Sequence, residues 1–130
     1  MADTSETQAE RHQKVREHSY ALLEAARTEA GEKKHYDSRA IRHTMTEECR
    51  KRTGLLPYPE QLDLAECMLL GLDATCIAGT GWGKTLPFVL PLFVYPRKIV
   101  IIVSPLNSLE VDQVRSQWCC MRVISERILN

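Results

Sequence analysis

The feature that most constrains the fold of this chain is the stretch ATCIAGTGWGKTLPF at residues 74–88. An apolar run comes first, a turn that contains Gly79, Gly81 and Gly83 follows, and an apolar segment begins after Lys84. A buried strand, a glycine-rich turn and a helix in this order form the layout of a phosphate-binding loop. The stretch therefore predicts such a loop, and the alternative is an accidental glycine turn.

The residue types of this loop suit the phosphates of a nucleotide. Glycine lets the backbone adopt positive φ angles and turn its N–H groups inward around phosphate oxygens. The Lys84 ammonium can reach the outer phosphates, and the Thr85 hydroxyl can bind a magnesium ion. A helix that begins at Lys84 adds the positive end of its dipole. These residues predict a site for nucleotide phosphates and Mg²⁺.

The segments around the loop predict a βαβ unit. The run ATCIA at 74–78 and the run KIVIIVS at 98–104 are continuously apolar, which is typical of buried parallel strands. Between them, a helix is expected from Lys84 to about Phe93, with Pro87 tolerated in its first turn and Pro91 kinking or ending it. A strand, a helix and a strand with short links form a right-handed crossover. The expected fold class is therefore α/β.

Two further helices are expected on either side of this unit. The segment at 60–70 places Leu62, Ala65, Met68 and Leu69 on one face, and Gly71 ends it. After Ser108, apolar side chains recur at helical spacing over 108–129, and these are Val114, Trp118, Met121 and Ile128. Both stripes indicate core positions of the predicted α/β domain.

Residues 1–54 differ from the rest of the chain because they are rich in charged side chains. One helix is expected over 8–30 and ends at Gly31. A second begins at Asp37 or Ser38, ends at Gly54 and places Ile41, Met45 and Cys49 on one face. These helices are too polar to bury themselves alone. We therefore expect a charged helical extension at 1–54, solvated or docked on a protein partner, and an incomplete nucleotide-binding domain at 55–130.

Composition excludes several other classes of protein. Lys and Arg total 17 and Asp and Glu total 17, so no overall basic charge indicates a nucleic-acid binder. The longest apolar run, 99–103, is far shorter than the roughly 18 residues of a membrane span. The five cysteines are odd in number and lack C-x-x-C spacing, which argues against disulfides and a zinc site. We therefore expect a soluble, intracellular protein without a membrane contact.

The sequence resembles a known family at three places. Residues 78–85, AGTGWGKT, resemble motif I of superfamily 2 helicases. Residues 103–114, VSPLNSLEVDQV, are similar to motif Ia of RecQ-type DNA helicases. Residues 57–93 as a whole are similar to the opening of RecQ-like helicases of the kind common in fungi. The resemblance covers residues 55–114 and implies the N-terminal part of a RecA-like domain, a P-loop NTPase fold.

The resemblance also implies roles for individual residues. ATP with Mg²⁺ is the implied ligand, Gln61 reads the adenine edge, Tyr58 stacks on the base, and Thr85 binds the metal ion. The residues implied to hold the phosphates are Gly79, Thr80, Gly81, Trp82, Gly83, Lys84 and Thr85. The residues implied to contact single-stranded or forked DNA are Ser104, Pro105, Leu106, Asn107 and Ser108. The alternatives are a solvated helix-start residue for Gln61 and helix capping for Ser104 and Ser108.

The family's hydrolysis also requires a strand that ends in Asp-Glu and a second RecA-like domain. The acidic residues after Ser104 are Glu110, Asp112 and Glu126, all within the predicted helix. We therefore expect the front of a nuclear RecQ-like DNA helicase, truncated after motif Ia, that binds ATP and nucleic acid but does not hydrolyse ATP or unwind DNA on its own. The alternative is a non-catalytic interaction protein with a vestigial phosphate loop.

Overall fold

The computed structural model describes residues 7–101 of the 130-residue chain. Its helices are α1 (Gln8–Lys34), α2 (Ser38–Thr53), α3 (Pro59–Leu70) and α4 (Leu86–Val94). The chain divides into two compact units, Met1–Ser38 and Arg39–Asn130. None of the helices within residues 7–101 is long and apolar enough to cross a membrane.

Helix α1 is the main element of the first unit and is stabilised at both ends by local bonds. At its start, the Thr7 hydroxyl accepts the Glu10 N–H at 3.3 Å, and the Glu10 carboxylate accepts the Thr7 N–H at 2.8 Å. At its end, His35 has a left-handed φ of 53°, and the Tyr36 N–H donates to the Ala30 carbonyl at 3.2 Å. The expected end at Gly31 is wrong. An interior glycine costs a helix only about 1 kcal/mol, so the helix continues to its left-handed cap.

Helix α2 belongs to the apolar core of the second unit. Met45 and Cys49 are fully buried, and Ile41 packs at the edge of the same cluster. The cluster also contains Leu62, Ala65, Val89, Leu90 and Phe93 from α3 and α4. The face predicted for α2 is confirmed, and through it α2 packs against α3 and α4. Only one stripe of a helix needs to be apolar to contribute to a core.

Helix α3 begins with Pro59 in its first turn and ends at Gly71, which has a φ of 76°. Leu62 and Ala65 are buried as predicted, whereas Met68 is 38% exposed. Glu66 is fully buried instead. The expected face was therefore wrong at Met68. An acidic side chain such as that of Glu66 can occupy a buried position when a cation from another helix faces it.

Helix α4 starts two positions later than expected, since Lys84 and Thr85 form the turn before it. Pro87 lies in its first turn, where a missing N–H costs no helical hydrogen bond. Pro91 lies inside the helix without ending it, and the Tyr95 N–H donates to the Pro91 carbonyl at 3.0 Å. Most side chains of α4 are buried, so the tolerance of an interior proline comes from packing.

The expected buried strand at 74–78 is not seen within residues 7–101: these residues form no regular secondary structure there, and Ile77 is 98% exposed. Residues 98–101 form no strand either, and Ile99 and Ile101 are exposed. A strand exists only where a neighbouring chain segment takes its backbone hydrogen bonds. The α/β class is therefore not seen in residues 7–101, which are helical and irregular. Residues 102–104 and the helix expected at 108–129 lie outside the described residues.

Candidate nucleotide site

The glycine-rich loop between residues 79 and 85 is a compact turn in front of α4. Gly81 and Gly83 have φ angles of 83° and 81°, which only glycine adopts readily, whereas Gly79 does not have a positive φ. The Trp82 N–H donates to the Gly79 carbonyl at 3.4 Å, and the Leu86 N–H donates to the Gly83 carbonyl at 3.0 Å. Two of the three glycines therefore have the backbone conformation that the sequence predicts.

Several N–H groups of the loop form no backbone hydrogen bond within residues 7–101. The backbone hydrogen bonds within the described part of the loop use the N–H groups of Trp82 and Leu86, and those of Gly81, Gly83, Lys84 and Thr85 take no part in them. Thr80 and Lys84 are exposed, and Thr85 is half-buried. Successive N–H groups beside a lysine at a helix start form a concave site for phosphate oxygens.

Gln61 connects this loop to the start of α3. Its side chain is only 3% exposed. Nε2 donates to the Trp82 carbonyl at 2.8 Å and to the Gly83 carbonyl at 3.2 Å. Oε1 accepts the N–H of Tyr58, the residue before α3, at 2.8 Å. The partners determine the amide orientation, because a carbonyl can only accept and an N–H can only donate.

Gly83 is one of the two loop residues that contact this glutamine. A Cβ atom at Gly83 would lie 2.8 Å from Gln61 Nε2, a distance that real Cβ contacts essentially never show. A Cβ atom at Gly81, in contrast, would meet nothing within 4 Å. Gly83 is therefore needed both for its positive φ and for the space that Gln61 occupies.

The interpretation of Gln61 as a solvated helix-start residue does not fit its burial. Its hydrogen bonds place it between α3 and the phosphate loop, a position that the sequence analysis did not foresee. Tyr58 is exposed at the N-cap of α3, so one face of its ring is open to solvent. Gln61, Tyr58 and the loop are thus brought together, whereas Ser104, Pro105, Leu106, Asn107 and Ser108 lie outside the described residues.

A cluster of charged side chains holds the start of α3 from the other side. Arg42 of α2 donates through Nη1 to Asp63 at 2.6 Å and to Glu66 at 2.8 Å. Its Nη2 donates to the Pro59 carbonyl at 3.4 Å. Burial lowers the pKa of Arg42, but its hydrogen bonds to Glu66 and Asp63 outweigh this effect and raise the pKa above its ordinary value. This cluster was not predicted from the sequence, because Arg42 and Glu66 are 24 residues apart.

The described residues contain no cluster that would hold a metal ion through protein side chains alone. No group of three His, Cys, Asp or Glu residues is suitably placed anywhere in 7–101. Cys49, Cys67 and Cys76 are free thiols. A magnesium ion at Thr85 would therefore take most of its oxygen ligands from the nucleotide and water, as is usual for Mg²⁺.

Comparisons with known proteins point to the same part of the chain. The family described as DEAD/DEAH box helicase matches residues 58–122, half of the chain. The RecQ-like DNA helicase BLM of Xenopus laevis is 39% identical over 66 residues, which are 50% of this chain and 5% of that protein. The chain thus spans a small part of the length of that relative. No solved structure matches the chain. The loop, Tyr58 and Gln61 all lie within the matched range.

Proposed function

The chain belongs to the DEAD/DEAH box helicase family, and from this premise we propose that its phosphate loop binds ATP together with Mg²⁺. The family match also indicates a P-loop NTPase fold for residues 58–122. The observation that carries the proposal is the loop geometry: Gly81 and Gly83 have positive φ angles, and Lys84 follows immediately before a helix. A backbone with such φ angles can turn N–H groups toward a bound phosphate.

We propose that Gln61 and Tyr58 bind the base. Adenine presents the N7 acceptor and the N6 donor on one edge, and an amide matches both. Both Nε2 hydrogens of Gln61 are donated to the loop, so one of them has to be exchanged for adenine N7. The longer bond, to Gly83, is the one we expect to be exchanged. Oε1 has a second lone pair for N6–H, and the exposed Tyr58 ring is available for stacking.

The wider function we propose is that of a RecQ-like DNA helicase. The similarity to the Xenopus laevis protein supports it. In this proposal, residues 74–78 and 98–104 pair as parallel strands of a RecA-like domain, residues 104–108 contact single-stranded or forked DNA, and the protein acts in the nucleus. Residues 1–130 contain no Asp-Glu pair, so we propose that this chain on its own binds ATP and DNA without hydrolysis or unwinding.

Titration with a fluorescent ATP analogue tests the proposal. Wild-type protein with Mg²⁺ should bind, and Lys84→Ala should bind at least tenfold more weakly, because charge-assisted bonds to phosphate are among the strongest polar contacts, roughly 1.5–3 kcal/mol each. Lys34→Ala, an exposed lysine of α1, is the matched control and should bind like wild type. Chelation of Mg²⁺ should weaken binding.

Two other outcomes would contradict the proposal. Equal affinity of wild type and Lys84→Ala would remove Lys84 from the site. Absence of binding in every variant would favour the alternative function, an interaction protein whose helices dock on a partner and whose loop is vestigial.

A further inference from the structure

The first turn of α3 is held from two sides by side chains that are distant in the sequence. On one side, Arg42 of α2 contacts the Pro59 carbonyl, Asp63 and Glu66. On the other side, Gln61 contacts the carbonyls of the phosphate loop. Pro59 and Gln61 belong to the same helical turn. Two sets of hydrogen bonds, joined by the backbone of this helical turn, therefore connect α2 and the loop to the start of α3.

We propose that Arg42 is a positioning residue of the nucleotide site. Arg42 sets the position of the first turn of α3. Gln61 lies in that turn and, through its hydrogen bonds, sets the positions of the Trp82 and Gly83 carbonyls. The inference rests on the proposed function, because the loop is the part that would hold ATP. It assigns a role at the site to a helix that precedes the residues matched by the helicase family.

The geometry requires an arginine at this position. One guanidinium nitrogen is shared by two carboxylates, and a second nitrogen is directed to a backbone carbonyl. A planar guanidinium has donors that diverge in this way, whereas the lysine ammonium is a single point of charge. Glu66 is fully buried and Arg42 is 25% exposed, so the Glu66 side of the contact is shielded from water. Arg42 is therefore able to restrict the position of α3 more tightly than an exposed ion pair would.

The test compares Arg42→Met with Arg50→Met. Arg50 lies on the same helix and forms an exposed pair with Glu47 at 3.2 Å, so it controls for the loss of an arginine from α2. With the fluorescent ATP analogue and Mg²⁺, Arg42→Met should lose roughly tenfold in affinity, a typical size for coupling between sites. Arg50→Met should stay within twofold of wild type. Equal affinities for the two variants would overturn the proposal.

A double-mutant cycle with Gln61→Ala separates positioning from general destabilisation. If Arg42 acts through Gln61, Arg42→Met should have little further effect on ATP affinity once Gln61 is alanine. If the two losses of affinity multiply instead, Arg42 does not act through Gln61, and the proposal is wrong.

A nucleotide-free measurement keeps this inference distinct from the ATP proposal. In a Trp118→Phe background, Trp82 is the only tryptophan, and it lies in the loop that Gln61 holds. Arg42→Met should raise the quenching of Trp82 fluorescence by acrylamide, whereas Arg50→Met should not. If wild type binds no ATP, the proposed function fails, and the quenching alone still decides the role of Arg42. Unchanged quenching in Arg42→Met would overturn that role.

If Arg42→Met does not fold, a charge-neutral variant takes its place. Arg42→Met combined with Asp63→Asn and Glu66→Gln removes the cation and both carboxylates at nearly constant shape, which is often tolerated in a protein interior. It should fold, as judged by circular dichroism, and should show the same rise in Trp82 quenching. A folded triple variant with wild-type quenching would overturn the proposal.

Discussion

Replacing Gly83 by alanine should destabilise the chain more than replacing Gly81 does. Both residues have a positive φ of just over 80°, so either alanine has the strain of a left-handed conformation, about 1–2 kcal/mol. Only at Gly83 does the new Cβ meet another atom, Gln61 Nε2 at 2.8 Å. The buried amide then has to leave the Trp82 and Gly83 carbonyls, and each lost hydrogen bond costs about 1 kcal/mol.

The total should therefore be about 1–2 kcal/mol for Gly81→Ala and about 3–4 kcal/mol for Gly83→Ala. Urea unfolding of the nucleotide-free protein, followed by circular dichroism, measures both values. Repeating the Gly83→Ala comparison in a Gln61→Ala background removes the steric clash. There the cost of Gly83→Ala should fall to that of Gly81→Ala.

The result that would refute this reasoning is an equal cost for the two alanines in the wild-type background. That outcome would mean that the Gln61 amide moves aside without loss, and that its bonds to the loop contribute nothing to stability. A cost of Gly83→Ala that stays unchanged in the Gln61→Ala background would refute it as well, because the penalty would then come from backbone strain alone.

The remaining predictions concern core packing, the stability of the helices at low pH, and catalysis. Met45→Ala should lower the free energy of unfolding by about 2–5 kcal/mol, since Met45 is fully buried, and the exposed Val15→Ala should change it by less than about 0.5 kcal/mol. Hydrogen bonds to Thr7 lower the pKa of Glu10, and hydrogen bonds to Lys51 and Arg52 lower the pKa of Glu48. The two carboxylates therefore stabilise their helices fully above pH 4.5, and this stabilisation should be lost as the pH falls further. Circular dichroism, which reports helicity, measures the loss. Phosphate release with single-stranded DNA should stay at background, and turnover that Lys84→Ala abolishes would contradict this.

The ends of α2 and α3 could be read from neighbouring residues. Gly54 and Gly71 end α2 and α3 with positive φ angles, and Pro59 lies in the first turn of α3. Each signal depends on backbone sterics within a few positions, so it acts in nearly any tertiary context. The turn through Gly81 and Gly83 belongs to the same class, which is why its backbone conformation was predictable.

The interior of the second unit could not be predicted in the same way. Glu66 is buried because Arg42, 24 residues earlier, supplies a cation, and Gln61 is buried because loop carbonyls 21 and 22 residues later accept its hydrogens. A polar residue on a helix usually indicates an exposed position, so the sequence pattern placed Met68 inside instead.

The apolar runs at 74–78 and 98–101 were predicted to form strands, and within residues 7–101 they form none. The sequence alone determined that they are apolar, and the preference of such residues for pleated structure followed from this. A strand, however, requires a partner that takes its backbone hydrogen bonds, and within residues 7–101 neither run has one. Local conformation was therefore determined by the sequence through sterics, whereas burial, ion pairing and strand formation were decided by contacts between distant residues in the tertiary structure.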